Sequence, residues 1–180
     1  MGKANEVLDF WFVECEPKHW FQKNKGFDRE IERRFVDVYR RACACELAHW
    51  RARPEGRLAE VLVLDQFSRN LYRDRPEAFA QDALALALAQ EAVAAEADQS
   101  LEPAQRAFLY MPYMHSESAL IHEEAVRLFD QPGLEHNLKF ERRHREIIER
   151  FGRYPHRNEL LGRQSTEEEQ AFLKQPGSSF

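Results

Sequence analysis

The stretch LAEVLVLDQFSRNLY, residues 58–72, decides the fold. From Leu58 to Leu64 it is apolar nearly all round, with Phe67 and Leu71 continuing the pattern. A helix of that kind is central and shielded by neighbours on every side. Its second half sets Asp65, Gln66, Arg69 and Asn70 into the same helix, with Arg73 one turn later. A charge buried without a partner costs several kcal/mol, so these side chains need partners. Asp65 and Arg69 are four residues apart with the acid first, the favourable order for an intrahelical pair. The cluster reads either as a polar network that fixes how helices dock or as the floor of a ligand site.

Helical periodicity extends outward from this stretch in both directions, and no segment alternates as a strand does. Towards the N-terminus, Asn5 is expected to cap a short helix carrying Val7, Leu8, Phe10, Trp11 and Phe12. Pro17 marks a loop ending in Trp20-Phe21. Asp28 is expected to cap a long helix whose stripe reads Ile31, Phe35, Val38, Ala42 and Trp50, broken by Pro54 and Gly56. Towards the C-terminus, an alanine-rich helix is expected from Glu77 to about Glu96. Pro103 suits the first turn of a helix that carries Phe108, Met111, Met114, Leu120 and Phe129, with a kink at Pro112. A charged helix from Glu135 to Phe151 ends at Gly152, the usual left-handed cap position. Arg153 to Asn158 reads as irregular, and Thr166 with Glu169 forms a capping box for a last short helix. The expectation is an all-α protein of about seven helices in a single domain, residues 1–180.

Composition narrows the function classes. A net charge of −5 argues against a nucleic-acid partner. No apolar run reaches the roughly 18 residues a membrane span requires, so no membrane partner is expected. Three cysteines, Cys15, Cys43 and Cys45, suit a reducing, cytoplasmic setting better than a disulfide framework or a zinc site. Charge is uneven along the chain. Arg75 is the only Lys or Arg between Asp74 and Glu102, whereas Lys139 to Arg163 holds eight against four Glu.

Two further clusters carry chemistry. His115-Ser116-Glu117 places an imidazole beside a carboxylate, and His122 falls seven residues later on the same stripe. That spacing is too wide for i,i+4 metal chelation, and His122 reads as a hydrogen-bonded core histidine. The second, Gly152-Arg153-Tyr154-Pro155-His156-Arg157-Asn158, joins a helix end, a fixed proline φ and four polar side chains. Guanidinium forks and imidazole in such a segment suit a carboxylate or phosphate. They equally suit ion pairs with Asp65, Glu117 and the acidic middle of the chain. Phosphate-loop, dinucleotide and nucleophile-elbow motifs are absent, so neither cofactor nor metal is expected. Pro76 to Leu84 has the small/aromatic spacing of a tetratricopeptide second helix, but the roughly 34-residue period does not recur.

Taken in order, these segments resemble the bacterial domain-of-unknown-function family 924. The matching pieces are Val7-Leu8-Asp9-Phe10-Trp11-Phe12, Trp20-Phe21, Leu64 to Asn70, Ala78 to Asp82 and Phe108 to Pro112. They continue with His115-Ser116-Glu117, Phe151 to Asn158, Leu161-Gly162-Arg163 and Ser165 to Glu168. The resemblance covers nearly the whole chain. It implies an α-α superhelix similar to tetratricopeptide-repeat proteins, and no established activity. The family pattern leads one to expect Gln at position 122, where this chain has His.

The leading expectation is a polar pocket for a small anionic ligand where the three clusters meet. Arg69, Arg153, His156 and Arg157 would hold the anion, Asn70 and Asn158 would orient it, and Asp65, beside Gln66, and Glu117 would fix the basic groups. Catalysis, if present, would be acid–base, through His115 or His156; no reaction is assigned. The rival is a helical-repeat module that binds a protein partner, with the polar clusters as structural ion-pair networks. A homodimer through Trp11, Trp20 or Trp50 is compatible with either.

Overall fold

The computed structural model describes residues 2–180, and every regular element among them is helical. Helix α1 (Gly2–Asp9) runs into a wide π turn (Phe10–Glu14) that buries Phe10 and Trp11. Asn5 lies inside α1 rather than capping it. Helix α2 (Lys25–Cys43) is capped by Asn24, whose side chain accepts from the amides of Gly26 and Phe27. Asp28, expected as that cap, sits one turn in and turns to Arg73 and Asn70 instead. Helix α2 also stops short of Trp50, which is buried in a separate 3-10 turn (Ala48–Ala52).

The central rod forms as the apolar pattern predicts, but it starts earlier. Pro54 is the first residue of α3 (Pro54–Leu62) rather than a breaker. Gly56 lies in that first turn because the chain crosses itself there: a Cβ would stand 2.0 Å from the carbonyl oxygen of Trp50. Helix α3 passes through a second π turn (Val63–Phe67) into α4 (Ser68–Leu71), and Leu58 to Ser68 is buried without interruption. Each fully buried Leu, Val or Phe contributes about 1.5–3 kcal/mol, so this rod is a major source of apolar stabilisation.

A 3-10 turn (Pro76–Phe79) leads into α5 (Asp82–Ala94), shorter than expected at both ends. The long helix expected after Pro103 is two: α6 (Pro103–Met114) and α7 (Ala119–Phe129). Pro112 sits inside α6, and the chain breaks only at the connector of residues 115–118. Helix α8 (Glu135–Phe151) ends at Gly152 with φ +68°, and α9 (Glu167–Leu173) carries the expected Thr166/Glu169 box. Between them Pro155–Arg157 forms a 3-10 turn where irregular chain was expected.

The main core draws on α1 to α7, and Ile147, Ile148 and Tyr154 form a smaller one with Phe151 and Phe172. Trp11 packs edge-on to Phe108, and its carbonyl accepts from the indole of Trp20. Trp11 and Trp50 are buried, so of the three tryptophans only Trp20 shows surface. No helix among the described residues is long and apolar enough to cross a membrane.

Candidate functional site

The π turn in the central rod delivers Asp65 to the interface with the 115–118 connector. Single π turns inside α-helices occur frequently at functional sites. The Asp65 side chain is wholly buried, and its Oδ1 lies 2.6 Å from Nδ1 of His115. Gln66 donates to its other oxygen at 2.7 Å. Burial pushes the Asp65 carboxyl up, but His115 and Arg69 overcome this and hold it well below the usual carboxylate range. His115 goes the other way: burial and the Arg69 charge lower its pKa against the pull of Asp65. At neutral pH the ring is therefore neutral, with the Nδ1 proton donated to Asp65 and the lone pair on Nε2. That nitrogen makes no hydrogen bond to the described residues, on a side chain that is 13% exposed.

Two arginines flank this pair. Arg69 donates to the Asp65 carbonyl at 2.9 Å and forms a two-point contact with Asp82 at 2.9 and 3.1 Å. Burial opposes its charge, but Asp65 and Asp82 raise its pKa above the ordinary value. Arg157, from the turn after α8, reaches the same Asp82 at 3.3 Å and the His115 carbonyl at 3.0 Å. Its guanidinium is sandwiched between the rings of Phe79 and Tyr154, at 4.6 and 4.7 Å. Its Nε is buried without a partner. Asp65 and Asp82 balance Arg69 and Arg157, so this cluster carries no net charge.

The other candidates separate into different networks. Asn70 donates to Asp28 at 2.8 Å, with Arg73, and fastens α4 to α2. Arg153 does not reach His115; it forms a two-point contact with Glu169 at 2.7 and 2.9 Å. Glu117 accepts from the Tyr154 amide at 2.7 Å and from Arg163 at 2.7 and 2.9 Å. Asn158 ties these together, accepting from Arg163 and donating to Ser165 and Glu169. His156 makes no ion pair; it stands beside Tyr154 and Phe180, with Nδ1 buried and unpartnered.

The expectation of four cationic groups around one anion therefore changes. Arg69 and Arg157 converge, Arg153 belongs to the α9 network, and Asp82 already occupies the position an anion would take. Two surface grooves of about 440 and 400 Å³ lie elsewhere, on α8 and across α5 to α7, and none of the candidate residues lines them. Among the described residues no three His, Cys, Asp or Glu side chains are grouped to hold a metal ion.

The sequence read His122 as a hydrogen-bonded core histidine but did not reveal that its partners, with Tyr154, hold the connector in place. His122 is fully buried, with Nδ1 2.6 Å from Glu141 and Nε2 2.8 Å from the Ser116 carbonyl. Nε2 must donate to that carbonyl, so the remaining proton is shared between Nδ1 and the Glu141 carboxyl. Burial raises the Glu141 pKa, consistent with that sharing. The Tyr154 hydroxyl adds a bond to the Met114 carbonyl at 2.5 Å. Asp82 had one legible signal: an acid in the first turn of a helix within a charge-poor stretch.

The fold and the site define an all-α protein whose central helix holds a buried Asp paired with a connector histidine, beside two arginines. The chain belongs to the DUF924 family, described as bacterial protein of unknown function, whose profile matches residues 7–177. It is similar to the solved structure of a protein of unknown function from Agrobacterium tumefaciens. The two share 38% identity over 96% of this chain and 97% of that one, with a TM-score of 0.92. No curated protein matches the chain.

Proposed function

We propose that the chain binds a small polar ligand at His115 and transfers a proton to or from it, with His115 as general base. One observation carries this reading: a wholly buried carboxylate fixes Nδ1 of His115, while Nε2 makes no hydrogen bond to the described residues on a side chain 13% exposed. A carboxylate behind an imidazole sets its tautomer and stabilises the imidazolium formed when Nε2 takes a proton. A lowered imidazole pKa keeps that base unprotonated at neutral pH. A carboxylate or phosphate on the ligand would compete with Asp82 for Arg69 and Arg157, so a ligand of modest charge is favoured over a strongly anionic one. The Asp65–His115 pair and Arg157 come from three distant parts of the sequence, which supports reading the chain as one domain. Free Cys15, Cys43 and Cys45 fit a reducing, cytoplasmic setting.

A thermal-shift panel of small carboxylates, phosphorylated metabolites, nucleotides, amides and esters tests the reading. A ligand at about 100 times its Kd stabilises the native state by about 2.7 kcal/mol. The expected result is a hit whose shift disappears in His115→Gln, with that variant still folded. A panel without hits, or a hit indifferent to His115→Gln and Arg157→Lys, overturns it. The rival interaction-module reading has one observation in its favour: Val13 and Phe21 are exposed at 77% and 68%. Phe21→Ser lowering the mass in light scattering would support that reading.

A further inference from the structure

Phe180, half exposed, stands against three aromatic rings at short range. Its ring centroid lies 3.8 Å from that of His144, 4.5 Å from His156 and 5.1 Å from Tyr154. The interplanar angles are 53°, 65° and 85°, so the ring meets its three neighbours at tilted and edge-on angles. We infer that His144, Tyr154 and His156 form a binding site for a planar aromatic ring, which Phe180 occupies in cis.

The walls are fixed independently of their occupant. His144 is buried on α8, with Nδ1 donating to the Phe140 carbonyl at 2.7 Å. Tyr154 is fully buried, tied through its hydroxyl to Met114 and through its amide to Glu117. His156 rides on the 3-10 turn between them. Phe180 itself is held on one side only. Just over half of its surface, 52%, faces solvent. Its segment turns at Gly177, φ +78°, and is fastened by one bond from Ser178 to the Leu173 carbonyl at 3.1 Å. A rigid three-ring wall under a loosely held ring is the arrangement of a site with an exchangeable occupant.

The chemistry of the walls narrows the ligand. Burial holds both imidazoles neutral at ordinary pH, so the site offers uncharged ring faces rather than cations. The Nδ1 of His156 is buried and unsatisfied, and the hydrocarbon ring of Phe180 has nothing to offer it. An aromatic ring bearing a hydroxyl or ring nitrogen fits the stacking and brings a polar group to the same imidazole. Tyr154 also covers one face of Arg157, whose Nη2 bonds the His115 carbonyl, so the ring site adjoins the Asp–His pair. The inference stands whether or not His115 moves protons.

Phenol is the probe, with cyclohexanol as the non-aromatic control, read by the carbon-bound ring protons of His144 and His156 in NMR spectra. In the unmodified chain these protons should be displaced by the Phe180 ring current, and Phe180→Ala should remove that displacement. Phenol should restore it saturably in Phe180→Ala and bind the unmodified chain about tenfold more weakly, the factor for an open form populated about one part in ten. Phe180→Leu keeps the apolar bulk without the ring current, so it should lose the displacement and bind phenol more weakly than Phe180→Ala. Histidine signals unmoved by Phe180→Ala overturn the inference, as does phenol acting no more strongly than cyclohexanol. Neither readout requires a functional His115, so failure here is distinct from failure of the proton-transfer reading.

Discussion

Acid should weaken this fold well above the pH at which its carboxylates protonate. His144 and His156 are buried as neutral rings, and burial pulls their pKa values from 6.5 to about 3 and about 4. His144 faces His115, His122 and His156. His156 faces Arg157, Arg69 and His115, with Glu117 the one group favouring its charge. Both folded-state values lie below the unfolded value, so the unfolded chain binds protons first as the pH falls. The stability they contribute is whole above pH 6.5 and is lost progressively towards pH 3 to 4. At about pH 5 each ring costs about 2 kcal/mol relative to neutral pH, or about 4 kcal/mol together. That is a large part of the roughly 5–15 kcal/mol a domain commands. Urea unfolding followed by tryptophan fluorescence at about pH 7.5 and 5 measures the loss, and His144→Gln should shrink it by about half. Equal stability at the two pH values, or an undiminished drop in the His144→Gln/His156→Gln double variant, would refute the reasoning.

Asp65→Asn removes the charge that Arg69 and His115 share while keeping the shape. A loss of about 2–4 kcal/mol is expected from a broken buried pair that retains one hydrogen bond, seen as a lower urea midpoint. Gly56→Ala drives a methyl group into the Trp50 carbonyl, 2.0 Å away and part of the backbone. It should destabilise by about 1–3 kcal/mol or more, whereas Gly2→Ala, which meets nothing within 4 Å, should be neutral. His122→Gln can donate to Glu141 or to Ser116 but cannot serve both in the imidazole geometry. A cost of about 1–3 kcal/mol follows, lowering Tm by about 2–4 °C per kcal/mol in calorimetry; an unchanged Tm would contradict the shared-proton account.

The central rod was legible because a helix apolar on every face has one place to go. Helix ends were legible where a side chain closes its own cap, as at Thr166 and Glu169, and where glycine takes a left-handed turn, as at Gly152. The errors share one cause. Asp28 satisfies the local rule for a cap, and the stretch from Pro103 to Phe129 reads as one helix, but distant groups decide both outcomes. Arg73 and Asn70 claim Asp28. The chain breaks after Met114, where Tyr154, His122 and Glu117 hold the connector through bonds spanning 32 to 40 residues. At the site, the two residues of the Asp–His pair were visible, but not their pairing, since a π turn and a helix break lie between them. Asp82 went unassigned because a carboxylate shared by two arginines 13 and 75 residues away leaves no local spacing to read.

His115 and His122 provide a comparison within one molecule. Both are histidines bonded through Nδ1 to a fully buried carboxylate at 2.6 Å. His122 spends its second nitrogen on the Ser116 carbonyl and shows no surface, so its role as a fastener accounts for the whole side chain. His115 leaves its second nitrogen unspent and keeps 13% of its side chain exposed. A buried charge pair gives little net stability over apolar packing of the same volume, so fastening alone is a weak reason for Asp65 to sit in a helix buried without interruption from Leu58 to Ser68. Arg153, Asn70 and Asn158 are accounted for by the helices they join. What remains after those subtractions is one imidazole, aimed by a carboxylate and open at Nε2, beside a ring-binding wall that shares Tyr154 with it.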